Sequence, residues 1–336
     1  MNRKEGRHRS ILMKAACNVC CHHCRLEEGQ TGACRARRNE RGVIKCTNYG
    51  RLTALALDPI EKKPLSRFYP GSMILSVGSF GCSLRCPFCQ NYEIASAGEH
   101  RPKEESSLLS VSGNSESAAK KKHTAALSSQ VKMYPVIYND GRRERTLDTA
   151  YYTPQELCDL ALDLRERGNI GIAFTYNEPL VGWEFVLDTA KLFHRHDLKT
   201  VLVSNGMASQ EILQEILPYI DAMNIDLKSF TPEFYRDFVG GDLEMVKAFI
   251  RTAAESCHIE ITKLIIPDKN DSEEDMRRMT EWIASLRGGR GRRIPLHVSR
   301  YFPRYKLTAP ATPVKTVYGL ADVAREKLDY VYTGNC

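Results

Sequence analysis

From residue 73 to the end of the chain, short apolar runs alternate with stretches in which apolar residues recur every three or four positions. The runs have the length of buried strands, and the intervening stretches have the period of amphipathic helices. The predicted strands are 73–80, 170–175, 200–204, 222–227, 259–266, 296–301 and 330–332. The predicted helices lie between them, at about 153–167, 181–194, 209–217, 243–256, 272–287 and 313–327.

Three of the predicted helices begin at clear capping signals. Thr153-Pro-Gln-Glu156 is a capping box with proline at the first helical position, and Gly168 follows that helix as a stop signal. Ser272 and Thr312-Pro313 are the cap signals of two further helices. Alternating strands and helices of this length predict an α/β fold whose parallel sheet is closed, or partly closed, into a barrel. In such barrels the chemistry gathers at the carboxyl ends of the strands.

The chain divides into parts by composition. Residues 1–50 carry six cysteines and little hydrophobic periodicity, so a metal is the expected organiser of this small N-terminal segment. Residues 51–72 are predicted to be a linker, because prolines interrupt them. The barrel then occupies residues 73–336. Within it, residues 99–133 are rich in Ser and Lys and are predicted to be a mobile insertion.

The positive charge is concentrated at the N-terminal end. The whole chain has a formal charge of +7, and residues 1–50 hold eleven Lys or Arg against four Glu, so the entire excess lies in this segment. A basic end is found in proteins that bind nucleic acid or acidic proteins. We favour another interpretation, in which these side chains offset metal-bound thiolates. Aromatic residues are not interleaved with the charges as a nucleic-acid platform requires.

The sequence predicts a cytoplasmic protein with no membrane anchor. No run of about 18 apolar residues occurs, as a transmembrane helix would need. Only three apolar residues, 11–13, follow the basic N-terminus, too few for a signal peptide. Twelve cysteines in a chain without an export signal predict metal or cluster ligation in a reducing compartment, and not disulfides.

Three cysteines directly after the first predicted strand form the pattern CxxxCxxC. Cys82, Cys86 and Cys89 lie on one short loop, with Phe88 just before the last of them. Iron–sulfur clusters usually take four cysteines, so three cysteines leave one iron of a [4Fe–4S] cluster open to another ligand. A zinc site is the alternative, but zinc needs a fourth protein ligand and none lies close by in sequence.

Polar residues follow the next three predicted strands. Glu178 ends the second strand, Ser204 and Asn205 end the third, and Asp226 and Lys228 end the fourth. Each motif alone is ordinary loop chemistry. Because they come at the ends of successive strands, we expect them to lie beside the cysteine loop and to bind a polar ligand.

Together these motifs resemble a radical S-adenosylmethionine (SAM) enzyme of the AmmeMemoRadiSam type, a relative of the glycyl-radical-enzyme activating enzymes. The resemblance covers nearly all of residues 11–336 and implies a partial (β/α)6-type parallel barrel. Its marks are the segments 17–34, 82–91, 174–179, 204–206, 224–228, 297–303 and 330–335. Tyr176 and Asn177 stand where the superfamily motif has two glycines, a difference that bears on how closely the backbone approaches SAM.

The resemblance also implies a role for each motif. Cys82, Cys86 and Cys89 ligate a [4Fe–4S] cluster, and the open iron of that cluster chelates SAM. Phe88 packs beside the adenine, and Glu178 binds the methionyl amino group. The residues at positions that contact the ribose or carboxylate of SAM are Ser204, Asn205, Asp226 and Lys228.

Two further candidate sites have open interpretations. The four thiols of Cys17, Cys20, Cys24 and Cys34 suffice for a structural zinc ion, the simpler interpretation, or for a second iron–sulfur cluster. His297, near the end of the sixth strand, either faces SAM or substrate or is a core histidine with satisfied hydrogen bonds.

The implied activity is reductive cleavage of SAM to a 5′-deoxyadenosyl radical, which abstracts hydrogen from an unidentified small molecule or protein. An electron donor such as flavodoxin or ferredoxin is expected. One alternative is an activating enzyme that generates a glycyl radical on a partner protein, and AMMECR-type and Memo-type proteins are partners implied by the resemblance. A second alternative is a non-catalytic binding module organised by zinc.

Overall fold

The computed structural model describes residues 14–97, 136–138, 145–147 and 149–336. The insertion predicted at 99–133 lies outside these residues. No helix in the described part of the chain is long and apolar enough to cross a membrane.

The cysteine-rich N-terminal part is built from short antiparallel strand pairs. The strands that precede the barrel are β1 (Ala15–Ala16), β2 (Arg25–Leu26), β3 (Arg37–Glu40), β4 (Val43–Cys46), β5 (Arg51–Leu52) and β6 (Ala54–Pro59). β1 pairs with β2, and β3 pairs with β4. Such short pairs are marginal by themselves, so this part depends on contacts with the barrel or on a bound metal.

The body of the molecule is one eight-stranded sheet. The remaining strands of the chain are β7 (Met73–Gly78), β8 (Val136–Tyr138), β9 (Arg145–Leu147), β10 (Ala150–Tyr151), β11 (Asn169–Phe174), β12 (Lys199–Ser204), β13 (Ala222–Asp226), β14 (His258–Ile265), β15 (Leu296–Arg300) and β16 (Val331–Gly334). The order in the large sheet is β16-β15-β14-β13-β12-β11-β7-β6. Its strands are parallel except for β6, so the predicted α/β fold with a partial parallel barrel is confirmed.

Helices connect the parallel strands. They are α1 (Tyr92–Ala95), α2 (Pro154–Asp163), α3 (Trp183–Arg195), α4 (Gln210–Ile216), α5 (Leu243–Ser256), α6 (Glu273–Gly289) and α7 (Val314–Arg325). The predicted capping box is present, with the Glu156 amide donating to Thr153 Oγ1 over 3.2 Å. The Ser272 hydroxyl likewise accepts a hydrogen bond from the Asp275 amide at the start of α6. These two capping signals are confirmed. The predicted cap at Thr312 is wrong, because the Thr312 hydroxyl donates to the Ile265 carbonyl oxygen and α7 begins without a side-chain cap.

The segment 51–72 differs from the predicted linker. It contains β6, which pairs antiparallel with β7 from Ala54 opposite Gly78 to Pro59 opposite Met73. Pro59 is tolerated because it is the last residue of an edge strand, where a missing N–H breaks no ladder. Pro59 therefore marks the end of a strand and does not break the structure, contrary to the predicted linker.

The residues between β6 and β7 close one end of the barrel interior. They lead into Met73, the first residue of β7, and so lie at the amino-terminal ends of the parallel strands. The amides of Ser66 and Arg67 donate hydrogen bonds to the Glu260 carboxylate on β14, over 2.9 and 2.7 Å. Because this end is closed, the functional site is expected at the opposite, carboxyl ends.

Candidate active site

The loop with Cys82, Cys86 and Cys89 begins where β7 ends. Burial raises the pKa of all three thiols, that of Cys86 to about 11. The nearby Lys228 ammonium opposes this effect on the pKa of Cys86 and Cys89. The Leu84 amide donates to Cys82 Sγ over 3.4 Å. A neighbouring cation and amide donors are what buried thiolates require when they bind a metal.

Asn177 braces the start of this cysteine loop. Its Oδ1 accepts a hydrogen bond from the Ser79 amide over 2.9 Å. Its Nδ2 donates to the carbonyl oxygens of Phe80 and Gly81, each over 3.1 Å. Sequence reasoning noted Asn177 only as a replacement for glycine. Its role depends on contacts with residues almost a hundred positions away, and no local pattern reveals them.

Glu178 joins the ends of β11 and β12. Its Oε1 accepts hydrogen bonds from Ser204 Oγ over 2.9 Å and from the Leu180 amide over 3.0 Å. Its Oε2 accepts one from the Asn205 amide over 2.8 Å. Burial raises the pKa of Glu178 to about 7, although these donors lower it. A carboxylate has about four acceptor positions, so one remains for a ligand.

Asn205 connects this carboxylate to the cysteine loop. Its Nδ2 donates to Ser83 Oγ over 3.2 Å and lies 3.6 Å from Cys82 Sγ. Its Oδ1 accepts from the Met207 amide over 2.9 Å, which fixes the orientation of the side chain. The predicted groups at β7, β11 and β12 thus meet through one chain of hydrogen bonds.

Asp226 and Lys228 form an ion pair at the end of β13. Lys228 Nζ lies 2.7 Å from Asp226 Oδ2. Burial lowers the pKa of Lys228, but the Asp226 charge outweighs it and the net direction is upward. The Asp226 side chain is 38% exposed, so one face of the pair remains open to a ligand.

Phe88 lies at the edge of the same region. Its ring stacks on Phe238, with the ring centroids 5.7 Å apart and the planes at 29°. Phe238 belongs to a π-helical turn, Phe234–Val239. π-Helical turns are rare and occur frequently at functional sites. The Phe88 ring is buried and the Phe238 ring is partly exposed, so an apolar, aromatic pair lies next to Cys89.

His297 is turned toward Glu260. Its Nε2 lies 2.6 Å from Glu260 Oε2, and its ring stacks on Tyr332. His258 Nε2 lies 3.0 Å from the other oxygen of the same carboxylate. These contacts support the interpretation of His297 as a core histidine with a satisfied hydrogen bond, one of the two that the sequence left open.

Tyr176 holds an unusual backbone conformation beside the site. Its φ is +72°, in the left-handed region that bulky residues rarely adopt. Its hydroxyl donates to Asp58 Oδ2 over 2.8 Å, and Lys63 Nζ lies 2.8 Å from the same oxygen. Asp58 and Lys63 come from the segment that was predicted to be a linker, so sequence reasoning missed this buried polar group.

The predicted N-terminal cysteines lie against the cysteine loop. The Cys82 amide donates to the Cys34 carbonyl oxygen over 3.2 Å. His22 Nε2 lies 2.7 Å from the Ser83 carbonyl oxygen. The two cysteine groups, which the sequence separates by about fifty residues, are therefore neighbours in the fold.

The donor set of the cysteine loop fits a polynuclear iron–sulfur cluster. In the described ranges, no three His, Cys, Asp or Glu side chains meet closely enough to hold one metal ion. A cluster does not need that closeness, because each thiolate binds a different iron. Three thiols, a carboxylate and a charged pair at adjacent strand ends can hold such a cluster together with a ligand that carries amino and carboxylate groups.

Comparison with known proteins agrees with this arrangement. The family model described as the Radical SAM superfamily matches residues 76–283. An uncharacterised protein of Methanocaldococcus jannaschii is 34% identical over 326 residues, which cover 96% of this chain and 81% of that protein. The (2S)-3-sulfopropanediol dehydratase activating enzyme of Klebsiella oxytoca is 28% identical over 152 residues, 45% of this chain and 48% of that enzyme. That match therefore spans about half of the enzyme's length.

Among solved structures, a domain of pyruvate-formate lyase-activating enzyme from Bacteroides vulgatus resembles part of the chain. It has a TM-score of 0.43 and 22% identity, and the match covers 49% of this chain and 99% of that domain.

Proposed function

Because the chain belongs to the Radical SAM superfamily, we propose that Cys82, Cys86 and Cys89 hold the [4Fe–4S] cluster of this enzyme and that the neighbouring strand ends hold SAM. A cluster held by three cysteines leaves one iron open. When bound and reduced, it supplies the electron that cleaves SAM into methionine and a 5′-deoxyadenosyl radical for hydrogen abstraction.

The Glu178 carboxylate and its hydrogen-bond donors are the main support for this proposal. Glu178 is buried, and three donors fix the orientation of its carboxylate. Asn205 links it to Cys82, so a ligand bound by Glu178 lies beside the cysteine loop. A fixed, buried carboxylate with one free acceptor position suits the ammonium group of SAM.

The other strand ends complete the proposed SAM site. Lys228 Nζ provides a cation for the SAM carboxylate, and the half-exposed Asp226 provides acceptors for a ribose hydroxyl. The stacked rings of Phe88 and Phe238 provide a surface for the adenine. Ser204 contributes by orienting Glu178.

Direct measurement of SAM cleavage tests the proposal. The protein is reconstituted without oxygen with iron and sulfide, then given SAM and dithionite, and 5′-deoxyadenosine is quantified. We expect product from the native chain and from the control Cys158→Ala, whose thiol is buried on α2, outside both cysteine groups. We expect none from Cys82→Ala/Cys86→Ala/Cys89→Ala. A native protein that holds its cluster and yields no 5′-deoxyadenosine would contradict the proposal.

A protein substrate is the second candidate function. The relative from Klebsiella oxytoca is named as an activating enzyme. In this chain, Phe302 and Tyr305 are exposed on a loop that follows β15. The amides of Lys306 and Leu307, from the same loop, donate to the Pro87 carbonyl oxygen of the cysteine loop. Exposed aromatic residues next to the cluster loop suit contact with a macromolecule.

The proposed protein partners provide the probes for this second function. AMMECR-type and Memo-type proteins are incubated with the loaded enzyme, SAM and reduced flavodoxin or ferredoxin as the electron donor. A persistent organic radical on the partner, detected by electron paramagnetic resonance, would support activation. SAM cleavage without any radical on either protein would favour a small-molecule substrate.

We also propose that the protein works in the cytoplasm. All twelve cysteines are free thiols, and nine of them belong to or adjoin the two cysteine groups. Thiols that serve as metal ligands persist in a reducing compartment. Metal-loaded protein recovered from the cytoplasmic fraction of its own cells would support this location.

A further inference from the structure

The N-terminal cysteine group consists of Cys17, Cys20, Cys24 and Cys34, and backbone contacts connect its members. Cys17, Cys20 and Cys34 are buried. The Cys17 amide donates to the Cys24 carbonyl oxygen over 2.9 Å, which brings the two ends of the first turn together. The Ala33 amide, next to Cys34, donates to Cys24 Sγ over 3.5 Å. Backbone contacts thus bring both Cys17 and the segment of Cys34 to Cys24, although in the described residues no three of these side chains meet closely enough to hold one metal ion.

The sulfurs of this group accept backbone hydrogen bonds. The Ala33 amide donates to Cys24 Sγ over 3.5 Å. Burial raises the pKa of the Cys20 and Cys34 thiols, and the backbone amides of His22 and Ala36 oppose this effect. The loop proposed to hold the SAM cluster has the same arrangement, with the Leu84 amide on Cys82 Sγ. Amide donors stabilise thiolates, which are the form that binds metals.

A buried guanidinium lies beside the group. Arg37 Nη1 donates to both carboxylate oxygens of Glu184, over 2.7 and 2.6 Å. Arg37 Nε is buried and has no hydrogen-bond partner in the described part of the chain. The Arg37 charge interacts with Cys17 and Cys46. A buried donor without a partner is rare. Glu184 already balances the Arg37 charge, so a metal-bound thiolate would supply the missing acceptor for Nε.

Several hydrogen bonds tie the N-terminal segment to the cluster loop. Besides the bond between Cys82 and Cys34 and the contact between His22 and Ser83, Asn48 Nδ2 donates to the Phe80 carbonyl oxygen over 2.8 Å. The segment has little apolar core of its own. A bound metal that stabilises its fold would therefore also hold these three contacts in place.

We propose that Cys17, Cys20, Cys24 and Cys34 bind a second, thiolate-held metal centre, and that this centre holds the SAM-cluster loop in its binding shape. The ligand is a thiophilic metal, as a zinc ion or as an iron–sulfur cluster. A zinc ion would draw the four sulfurs in to about 2.3 Å from itself. A cluster would bind each sulfur through a separate iron.

Metal content in a chain that lacks the SAM cluster tests the first half of the proposal. Cys82→Ala/Cys86→Ala/Cys89→Ala is purified without oxygen, and its zinc, iron and sulfide are measured. We expect one zinc ion, or one iron–sulfur cluster, per chain. Adding Cys17→Ala/Cys20→Ala should remove it, whereas adding the control Cys257→Ala should not. Absence of both metals from the triple variant, or retention of metal after Cys17 and Cys20 are replaced, would overturn the second centre.

Iron retention in the otherwise native chain tests the coupling. This coupling rests on the proposed function, because it assumes that Cys82, Cys86 and Cys89 hold the SAM cluster. The metal content of the triple variant depends neither on those ligands nor on SAM cleavage, so failure of the second metal centre and failure of the proposed function are distinguishable. His22→Ala leaves all four cysteines in place and removes the contact with Ser83. We expect it to keep the N-terminal metal and to lose cluster-loop iron to a chelator several-fold faster than the native chain. Unchanged iron loss in His22→Ala would refute the coupling.

Discussion

The amide of Cys82 donates a hydrogen bond to the carbonyl oxygen of Cys34, with 3.2 Å between nitrogen and oxygen. This bond joins the first cysteine of the cluster loop to the last cysteine of the N-terminal group. The close approach depends on Gly81, the residue just before Cys82. Gly81 has φ +89°, and a Cβ at this position would lie 2.6 Å from the Cys34 carbonyl oxygen.

Replacement of Gly81 should therefore displace the cluster loop. We expect Gly81→Ala to lower the iron content after reconstitution and to lower the melting temperature, because the added methyl group pushes Cys34 and Ala36 away. Gly71→Ala is the matched control, since Gly71 has φ +83° and nothing within 4 Å of its Cβ position. Both variants carry the strain of a left-handed alanine, roughly 1 kcal/mol. Equal iron content in the two variants would contradict the packing argument.

Asn177 offers a second test of the cluster loop. Asn177→Asp keeps the size of the side chain but sets a carboxylate against the carbonyl oxygens of Phe80 and Gly81. We expect a loss of about 1–3 kcal/mol in the free energy of unfolding, since buried groups lose their partners. Iron retention should fall with it.

The control for Asn177→Asp is Gln155→Glu, the same amide-to-acid change on the exposed face of α2. It should leave both the unfolding free energy and the iron content nearly unchanged. If Asn177→Asp behaved like this control in chemical denaturation and in iron analysis, Asn177 would not brace the loop.

The alternation of apolar runs predicts the parallel strands well, because a buried parallel strand is apolar on both faces and needs no long-range information. The same pattern does not predict the edge strand β6, because its sequence, Ala-Leu-Ala-Leu-Asp-Pro, ends in an acid and a proline. The buried Asp58 carboxylate is stabilised by Lys63, and this ion pair is seen only in the folded structure.

The same division applies to the candidate site. Cysteine spacing and strand-end position single out Cys82, Glu178 and Asp226 as candidates, since those features are local, and their roles toward a cluster and SAM stay predictions. The contributions of Asn177 and Tyr176 arise from contacts with residues 79–81 and with Asp58, which local sequence does not encode. The choice between two interpretations of His297 likewise needed its distance to Glu260.

Glu260 should make the fold sensitive to acid. Burial opposes its ionisation, but donors from His258, His297, Ser66 and Arg67 lower its pKa to about 2. An unfolded glutamate has a pKa near 4.3. The stabilisation is therefore complete above about pH 4.3 and is lost as the pH falls toward 2, by about 3 kcal/mol in all.

Urea denaturation at pH 6 and pH 3 measures this effect. We expect the native chain to lose more stability between the two pH values than Glu260→Gln, which has no proton to gain at this position. Glu326→Gln, an exposed change, serves as the control and should follow the native chain. An equal acid-induced loss in Glu260→Gln and in the native chain would show that other carboxylates dominate.

Glu178→Gln should weaken SAM binding without removing the cluster. The change keeps the size of the side chain but removes the charge that would pair with the SAM ammonium. A hydrogen bond to a charged group contributes about 1.5–3 kcal/mol, so the dissociation constant of SAM should rise about 10- to 150-fold. Equilibrium dialysis with SAM on the oxidised, cluster-loaded protein measures this constant without turnover.

Ser204→Ala is the control, because it removes one neutral donor from the same carboxylate. It should raise the dissociation constant of SAM about tenfold or less. If the cluster-loaded Glu178→Gln protein bound SAM as tightly as the native chain, another residue would have to bind the SAM ammonium group.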